Sequence, residues 1–147
     1  MLTDDTRILI ICTGNSCRSQ MAEGFVCQFL VERELHQAAA AVCSAGTETH
    51  GLNPRAVKVM AEVGVDISAH ESTNLREYLN DRFDYVITVC DKATRNCPVF
   101  PGGGEKLHWP FEDPAAAEGS EEEILSKFRR VRDEIKKKTG DWLSSIQ

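Results

Sequence analysis

Arg7–Arg33 reads RILIICTGNSCRSQMAEGFVCQFLVER, and three signals follow one another within it. Arg7–Cys12 is a short, dense run rich in β-branched residues, the pattern of a buried strand. Thr13–Arg18 is a Gly/Asn/Ser loop. From Ser19 to about Arg33, Met21, Ala22, Phe25, Val26, Phe29 and Leu30 recur at near-helical spacing. A strand, a tight polar loop and a helix in succession form the opening unit of an α/β fold.

The rest of the chain continues that alternation. Ala40–Ala45 reads as a second short strand ended by Gly46, and Thr47–Pro54 as a polar turn. Pro54 at the front and Gly64 behind delimit a helix whose inner face is Val57, Met60, Ala61 and Val63. Leu75–Leu79 is a shorter helical piece. Tyr85–Val89 is a third buried strand ending at Cys90, and Lys106–Trp109 is a weaker fourth strand behind the Gly102–Gly104 turn. Ile124, Phe128, Val131 and Ile135 then mark one face of a final helix. Glu121–Glu123 stand at its start, Lys136–Lys138 at its end, and Gly140 is placed to cap it. Strands alternating with helices imply parallel pairing through right-handed crossovers. The expected fold is an α/β three-layer sandwich with a four-stranded parallel sheet in the order 2-1-3-4, one domain spanning residues 1–147. Ligands of such sheets bind at the carboxyl ends of the strands. Cys12, Cys90 and Asp113 fall there.

The chain has 147 residues, 41% hydrophobic and 27% charged, with a formal charge of −6. That length suits one domain. The acidic balance argues against duplex DNA or an anionic membrane as partner. The longest apolar run, Ile8–Cys12, is far below the ~20 residues that span a bilayer. Asp4 and Asp5 precede it where a secretory signal would carry positive charge, so a cytoplasmic location is expected. In that compartment the six cysteines point to thiol or metal chemistry rather than a disulfide framework. The spacing is poor for structural zinc, since six residues separate Cys90 from Cys97 and both cysteine pairs abut strand-like runs. Cys27 and Cys43 read as small buried hydrophobes. His36, His50, His70 and His108 are scattered and make no metal-ligand pattern, so no metal site is read from them.

Cys12-Thr13-Gly14-Asn15-Ser16-Cys17-Arg18 places a Cys and an Arg five residues apart between a strand and a helix. Successive backbone N–H groups there can converge on an oxyanion at the positive end of the helix dipole. Gly14 permits an unusual φ, and Asn15 tolerates a left-handed one. Arg18 offers a planar fork matched to two oxygens of a tetrahedral anion. The same field favours a thiolate at Cys12, to which Ser19 could donate. Thr13, Gly14, Asn15, Ser16, Cys17, Arg18 and Ser19 are thus the candidate oxyanion-binding residues. Cys17 enters through its backbone N–H rather than its thiol.

The stretch CTGNSCRSQMAEG (12–24) resembles the low-molecular-weight protein tyrosine phosphatase superfamily. SAGTETHGLNP (44–54), TVCDKATRNCP (88–98) and HWPFEDPA (108–115) are similar to its thioredoxin-coupled arsenate reductase branch. The resemblance covers nearly the whole chain. It implies Cys12 as nucleophile, Asp113 as general acid, and Cys90 and Cys97 as second and third thiols of a relay. Pro114 stiffens the loop that carries Asp113, and Glu112 is the competing carboxylate. A phosphatase needs no such extra thiols, whereas a reductase must pass on its oxidising equivalent. If Asp91–Asn96 were helical, Cys90 and Cys97 would lie about 10 Å apart, beyond the ~7 Å Cα limit of a disulfide, so oxidation should unwind that segment. Ala115–Ala117 stand where phosphatases of the family commonly carry an aromatic residue.

The resemblance implies arsenate as substrate, thioredoxin as partner, a monomer and no required organic cofactor. Some such enzymes bind potassium, at positions matched by Asn15, Glu23, Ser44 and Asp66. A low-molecular-weight phosphatase and a non-catalytic redox or oxyanion sensor remain the alternatives.

Overall fold

The structure, a computed structural model, describes residues 1–90 and 100–146. Strands β1 (Ile8–Cys12), β2 (Cys43–Gly46), β3 (Tyr85–Thr88) and β4 (Glu105–His108) form one sheet in the order β2-β1-β3-β4. All three pairings are parallel, with Ile10 opposite Ser44 and Ile87, and Ile87 opposite Leu107. Among the described residues four helices, α1 (Arg18–Glu32), α2 (His36–Ala40), α3 (Pro54–Glu62) and α4 (Glu121–Ser145), complete the expected α/β architecture, with short 3-10 turns at Leu75–Tyr78 and Pro114–Ala116.

Alternation along β1 divides the core. Ile8 and Ile10 pack with Phe25, Met60, Phe128 and Ile135 of the long helices. Leu9 and Ile11 face the other way, onto Leu75, Phe83 and Phe100. All five residues of β1 are buried, which explains its unbroken apolar run. Among the described residues no helix is long and apolar enough to cross a membrane.

Beyond shifts of a residue or two at other ends, two element boundaries differ from those expected. Ala40 ends helix α2 rather than opening β2, which begins at Cys43. The cause is distant in sequence. Asp4 accepts hydrogen bonds from the N–H groups of Gln37 and Ala38, at 2.9 and 3.2 Å, and caps the short helix from outside. Leu75–Tyr78 is the expected short helical piece, of 3-10 type. Gly140 does not cap α4, which runs on to Ser145 and leaves Lys136–Lys138 inside it. Beyond Gly140, Trp142 and Leu143 are buried, and Trp142 packs edge-on against Tyr85 and Trp109 at 5.1 and 5.5 Å. Burying two such side chains stabilises by roughly 1.5–3 kcal/mol each, which outweighs the ~1 kcal/mol cost of a helical glycine.

Candidate active site

Cys12 ends β1, and Arg18 opens α1, so the intervening loop lies at the carboxyl edge of the sheet. Two donors meet at the Cys12 sulfur. The Asn15 backbone N–H donates to Sγ at 3.2 Å, and the Ser19 hydroxyl lies 3.0 Å from it. Asn15 Nδ2 donates to Ser19 Oγ at 2.8 Å, which leaves the Ser19 hydrogen to point at the sulfur. Asn15 carries the left-handed φ expected of it, +48°. Its side chain is fixed by the Thr73 N–H and Gln20 Nε2, which donate to Oδ1 at 2.7 and 3.2 Å.

The segment after β2 braces this loop from behind. The backbone N–H groups of Glu48, His50 and Asn53 donate to the carbonyls of Thr13, Gly14 and Ser16, at 3.0, 3.0 and 3.1 Å. The role of Gly14 differs from the one expected. Its φ is not positive. Instead, a Cβ at Gly14 would collide with the His50 ring, so a larger residue there would displace that side chain.

Arg18 is buried at the base of the helix, with Nη1 donating to the Phe111 carbonyl at 3.0 Å and Nη2 lying 3.7 Å from an Asp113 carboxylate oxygen. Asp113 also accepts from the Ala115 N–H at 3.0 Å, which fixes it at the start of the Pro114–Ala116 turn. The Cys17 thiol points to Asp113 at 3.6 Å. Burial foremost, then the Asp113 carboxylate and Cys12, pushes the Cys17 thiol up to about 12, which makes it a proton-bearing group. The competing carboxylate of Glu112 is engaged elsewhere, by Lys127 at 3.0 Å and by Arg130.

One pocket is lined by Cys12, Thr13, Gly14, Ser16, Cys17, Arg18 and Asp113, together with His50, Ala115 and Ala116. The structure thus brings the loop residues and Asp113 together. It adds His50, which the sequence reading left among scattered histidines. The only local sign was its neighbourhood, two residues after Glu48 in a polar turn facing the loop. Thr13 Oγ1 and Arg18 Nε are buried without a hydrogen-bond partner among the described residues. Cys90 is buried two residues beyond Thr88, the partner of Ile11, so it lies at the same edge on the neighbouring strand. Cys97 and the Asp91–Asn96 segment lie outside the described residues.

Of the residues matched to a potassium site, three meet. Asn15 Nδ2 donates to Ser44 Oγ at 3.0 Å, and Ser44 donates to Glu23 at 2.5 Å. The other Glu23 oxygen faces His70 at 3.5 Å. Burial pushes the Glu23 carboxyl upward, against opposing effects from Ser44 and His70. Asp66 is exposed and accepts from the Ser68 N–H in a local turn. Hard oxygens of this kind suit an alkali cation. Their arrangement does not, because Asn15 turns its amide nitrogen to the cluster and has its oxygen bonded elsewhere.

Comparison with known proteins agrees with this fold. The family model for low molecular weight phosphotyrosine protein phosphatase matches residues 7–147. An arsenate reductase of Halalkalibacterium halodurans is 49% identical over 131 residues, covering 89% of this chain and 90% of its own. One of Bacillus subtilis is 49% identical over 128 residues, covering 87% and 88%. A solved arsenate reductase in the phosphate-binding state superposes with a TM-score of 0.76 at 30% identity, over 97% of this chain and 99% of its own. A tyrosine phosphatase of Erwinia amylovora shares the fold, with a TM-score of 0.72 at 21% identity over 95% and 92% of the two chains. The chain belongs to the low molecular weight phosphotyrosine protein phosphatase family.

Proposed function

We propose that this protein is an enzyme that reduces arsenate to arsenite by a relay through Cys12, Cys90 and Cys97, with thioredoxin as electron donor. The observation that carries the reading is the Cys12 sulfur at the pocket floor, under two donors and within one pocket with Arg18 and Asp113. The relatives named arsenate reductase support the substrate. The orphaned Thr13 Oγ1 and Arg18 Nε are buried donors that a tetrahedral oxyanion would satisfy.

The chemistry runs in three exchanges. Cys12 thiolate attacks arsenic, an As–O bond breaks, and Asp113 gives the departing oxygen its proton so that it leaves as water. Cys90 thiolate then attacks Cys12 Sγ. The S–As bond breaks with its electron pair going to arsenic, which leaves as arsenite, and a Cys12–Cys90 disulfide forms. Cys97 attacks Cys90 Sγ, frees Cys12 and leaves a Cys90–Cys97 disulfide for thioredoxin to reduce. Two thiols supply the two electrons. The cycle draws on no organic cofactor, and no step runs through potassium. We further propose a cytoplasmic monomer of one domain. Cys12, Arg18 and Asp113 also suffice for slow phosphate monoester hydrolysis as a side activity.

Single-turnover mass mapping of cysteine variants tests the relay. Cys12→Ser releases no arsenite. Cys90→Ser forms the adduct and holds it. Cys97→Ser completes one turnover and stalls as the Cys12–Cys90 disulfide. Full steady-state activity of Cys97→Ser with thioredoxin would sink the three-thiol scheme. Repeated turnover of arsenate, beyond one equivalent per enzyme, without reduced thioredoxin would remove the assigned donor.

A further inference from the structure

We propose that Ser72 and Gln20 are positioning residues for Cys12: together they hold the Asn15 carbonyl, keep Asn15 in its left-handed conformation, and so keep the Asn15 N–H aimed at the Cys12 sulfur. The proposal rests on the reading of the Cys12–Arg18 loop as an oxyanion cradle with the nucleophile at its floor, and deepens it.

Strain is the starting point. Asn15 is fully buried and has a φ of +48°. A side-chain-bearing residue adopts that conformation at a cost, and it persists only where the surroundings over-determine it. Both peptides that flank Asn15 are held. The one before it is tied by the His50 N–H, which donates to the Gly14 carbonyl at 3.0 Å, and carries the Asn15 N–H that donates to Cys12 Sγ at 3.2 Å. The one after it is tied by the Ser72 hydroxyl, which donates to the Asn15 carbonyl at 2.6 Å. Gln20 Nε2 lies 3.2 Å from that carbonyl and 3.2 Å from Asn15 Oδ1, so it bridges backbone and side chain. With the carbonyl released, φ can relax, and the displacement is shared with the peptide whose N–H faces the sulfur.

The clamp is itself anchored. Gln20 is fully buried in the first turn of α1, and its amide has one workable orientation. Nε2 faces three acceptors, the two Asn15 oxygens and the Glu71 carbonyl at 3.1 Å, while Oε1 faces His70 Nδ1 at 3.0 Å. Exchanging the two amide atoms would set an oxygen against three oxygens. Ser72 reaches the loop from a distant stretch, and the carbonyl of its neighbour Thr73 accepts from the Gly46 N–H at 3.0 Å, at the end of β2. The loop packs so closely there that a Cβ on Gly46 would stand 2.9 Å from the Asn15 nitrogen. Neither Ser72 nor Gln20 lines the pocket of Cys12, so both act through Asn15 and not on a bound anion. Ser19, Arg18, Cys17, His50 and Asp113, the other groups around Cys12, are untouched by changes at either residue.

Iodoacetamide alkylation of Cys12, located by peptide mapping in the full-length protein, reads the thiolate without any turnover. Ser72→Ala should lower the alkylation rate about three- to tenfold at pH 6, the effect of one lost hydrogen bond. The deficit should close by pH 9.5, where a thiol ionises without help from a donor. Ser72→Thr keeps the hydroxyl and should restore the rate. Gln20→Met keeps the length without the donors and should show the same low-pH deficit. Wild-type reactivity in Ser72→Ala at pH 6, or no recovery in Ser72→Thr, overturns the proposal. A deficit equal at pH 6 and pH 9.5 also overturns it, since lost access or general loosening acts at every pH. Sulfate cannot be turned over, and in the wild type it should protect Cys12 from iodoacetamide. Absence of that protection overturns the cradle and the proposal with it. The expected alkylation pattern without arsenite formation from arsenate supports the clamp and overturns the proposed function alone.

Discussion

Arg18 is held on two sides, by the Phe111 carbonyl and by Asp113, and its buried Nε has no hydrogen-bond partner among the described residues. A lysine there supplies one point charge and cannot reproduce the fork. Arg18→Lys should raise the sulfate concentration protecting Cys12 by at least about tenfold, a loss typical of a charged hydrogen bond. Near-normal protection would remove Arg18 from the cradle. Asp113 is distinguished from Glu112 by its neighbours. Asp113→Asn should retain anion binding and lose about 10²–10⁴ in turnover, whereas Glu112→Gln, which only frees Lys127 and Arg130, should leave turnover near wild type. The reverse pattern in kcat would exchange the two roles. Burial keeps the Cys17 proton in place up to about pH 12, so iodoacetamide at pH 8 should leave Cys17 unmodified while Cys12 reacts. These residues were legible because each sits in one contiguous motif or beside a proline. His50 was not, because its place in the pocket depends on how residues 47–53 fold back on the loop. The unusual φ expected of Gly14 is absent, and its small size instead leaves room for the same ring.

At the scale of elements, α4 is the piece whose sequence states most about it and still misstates its end. Ser120 and Glu123 form a reciprocal capping box, each side chain bonded to the other's backbone N–H. Ser120→Ala should therefore cost about 1 kcal/mol in urea unfolding. Glu62, at the end of α3, joins that helix to α4 through Arg129 and Arg132 at 2.9 Å each. The Arg129 guanidinium foremost, then Arg132, holds the Glu62 carboxyl below its ordinary value. A depressed carboxyl stabilises the fold above its unfolded pKa and loses that contribution as pH falls through the folded one. Glu62→Gln should thus lower Tm at pH 7, with the gap closing as pH falls below the ordinary glutamate range. A gap independent of pH would show that packing, not charge, is the cause. Among the described residues, the four strands, their order and the existence of α1, α3 and α4 were legible because their apolar spacing is local, although α3 buries Ala56, Val59 and Met60 rather than the expected Val57, Met60, Ala61 and Val63. Helix α2 was not, since its cap comes from Asp4, and the far end of α4 was not, since Tyr85 and Trp109 draw Trp142 into the core.

Across the whole molecule, the site is a meeting of distant stretches at one sheet edge. Residues 12–18 form the loop proposed as the cradle, residues 47–53 brace it, Thr73 fixes Asn15, and the Phe111–Asp113 stretch holds Arg18. An anion in the cradle would bind the assembled arrangement and not the unfolded chain, because no short segment carries all of these contacts. Binding that is exclusive to the folded state stabilises it by RT ln(1 + [L]/Kd), about 2.7 kcal/mol at a hundred times Kd. Sulfate should therefore raise the Tm of the wild-type protein progressively with concentration, beyond the effect of chloride at matched ionic strength. Arg18→Ala should lose this specific rise while keeping the general effect of salt. Ser120→Ala, which weakens the start of α4 and removes no side chain that lines the pocket, should start from a lower Tm and show the full sulfate-dependent rise. Equal rises in all three proteins would mean that sulfate acts on the surface at large, and the meeting point of these stretches would then be structural rather than a binding site.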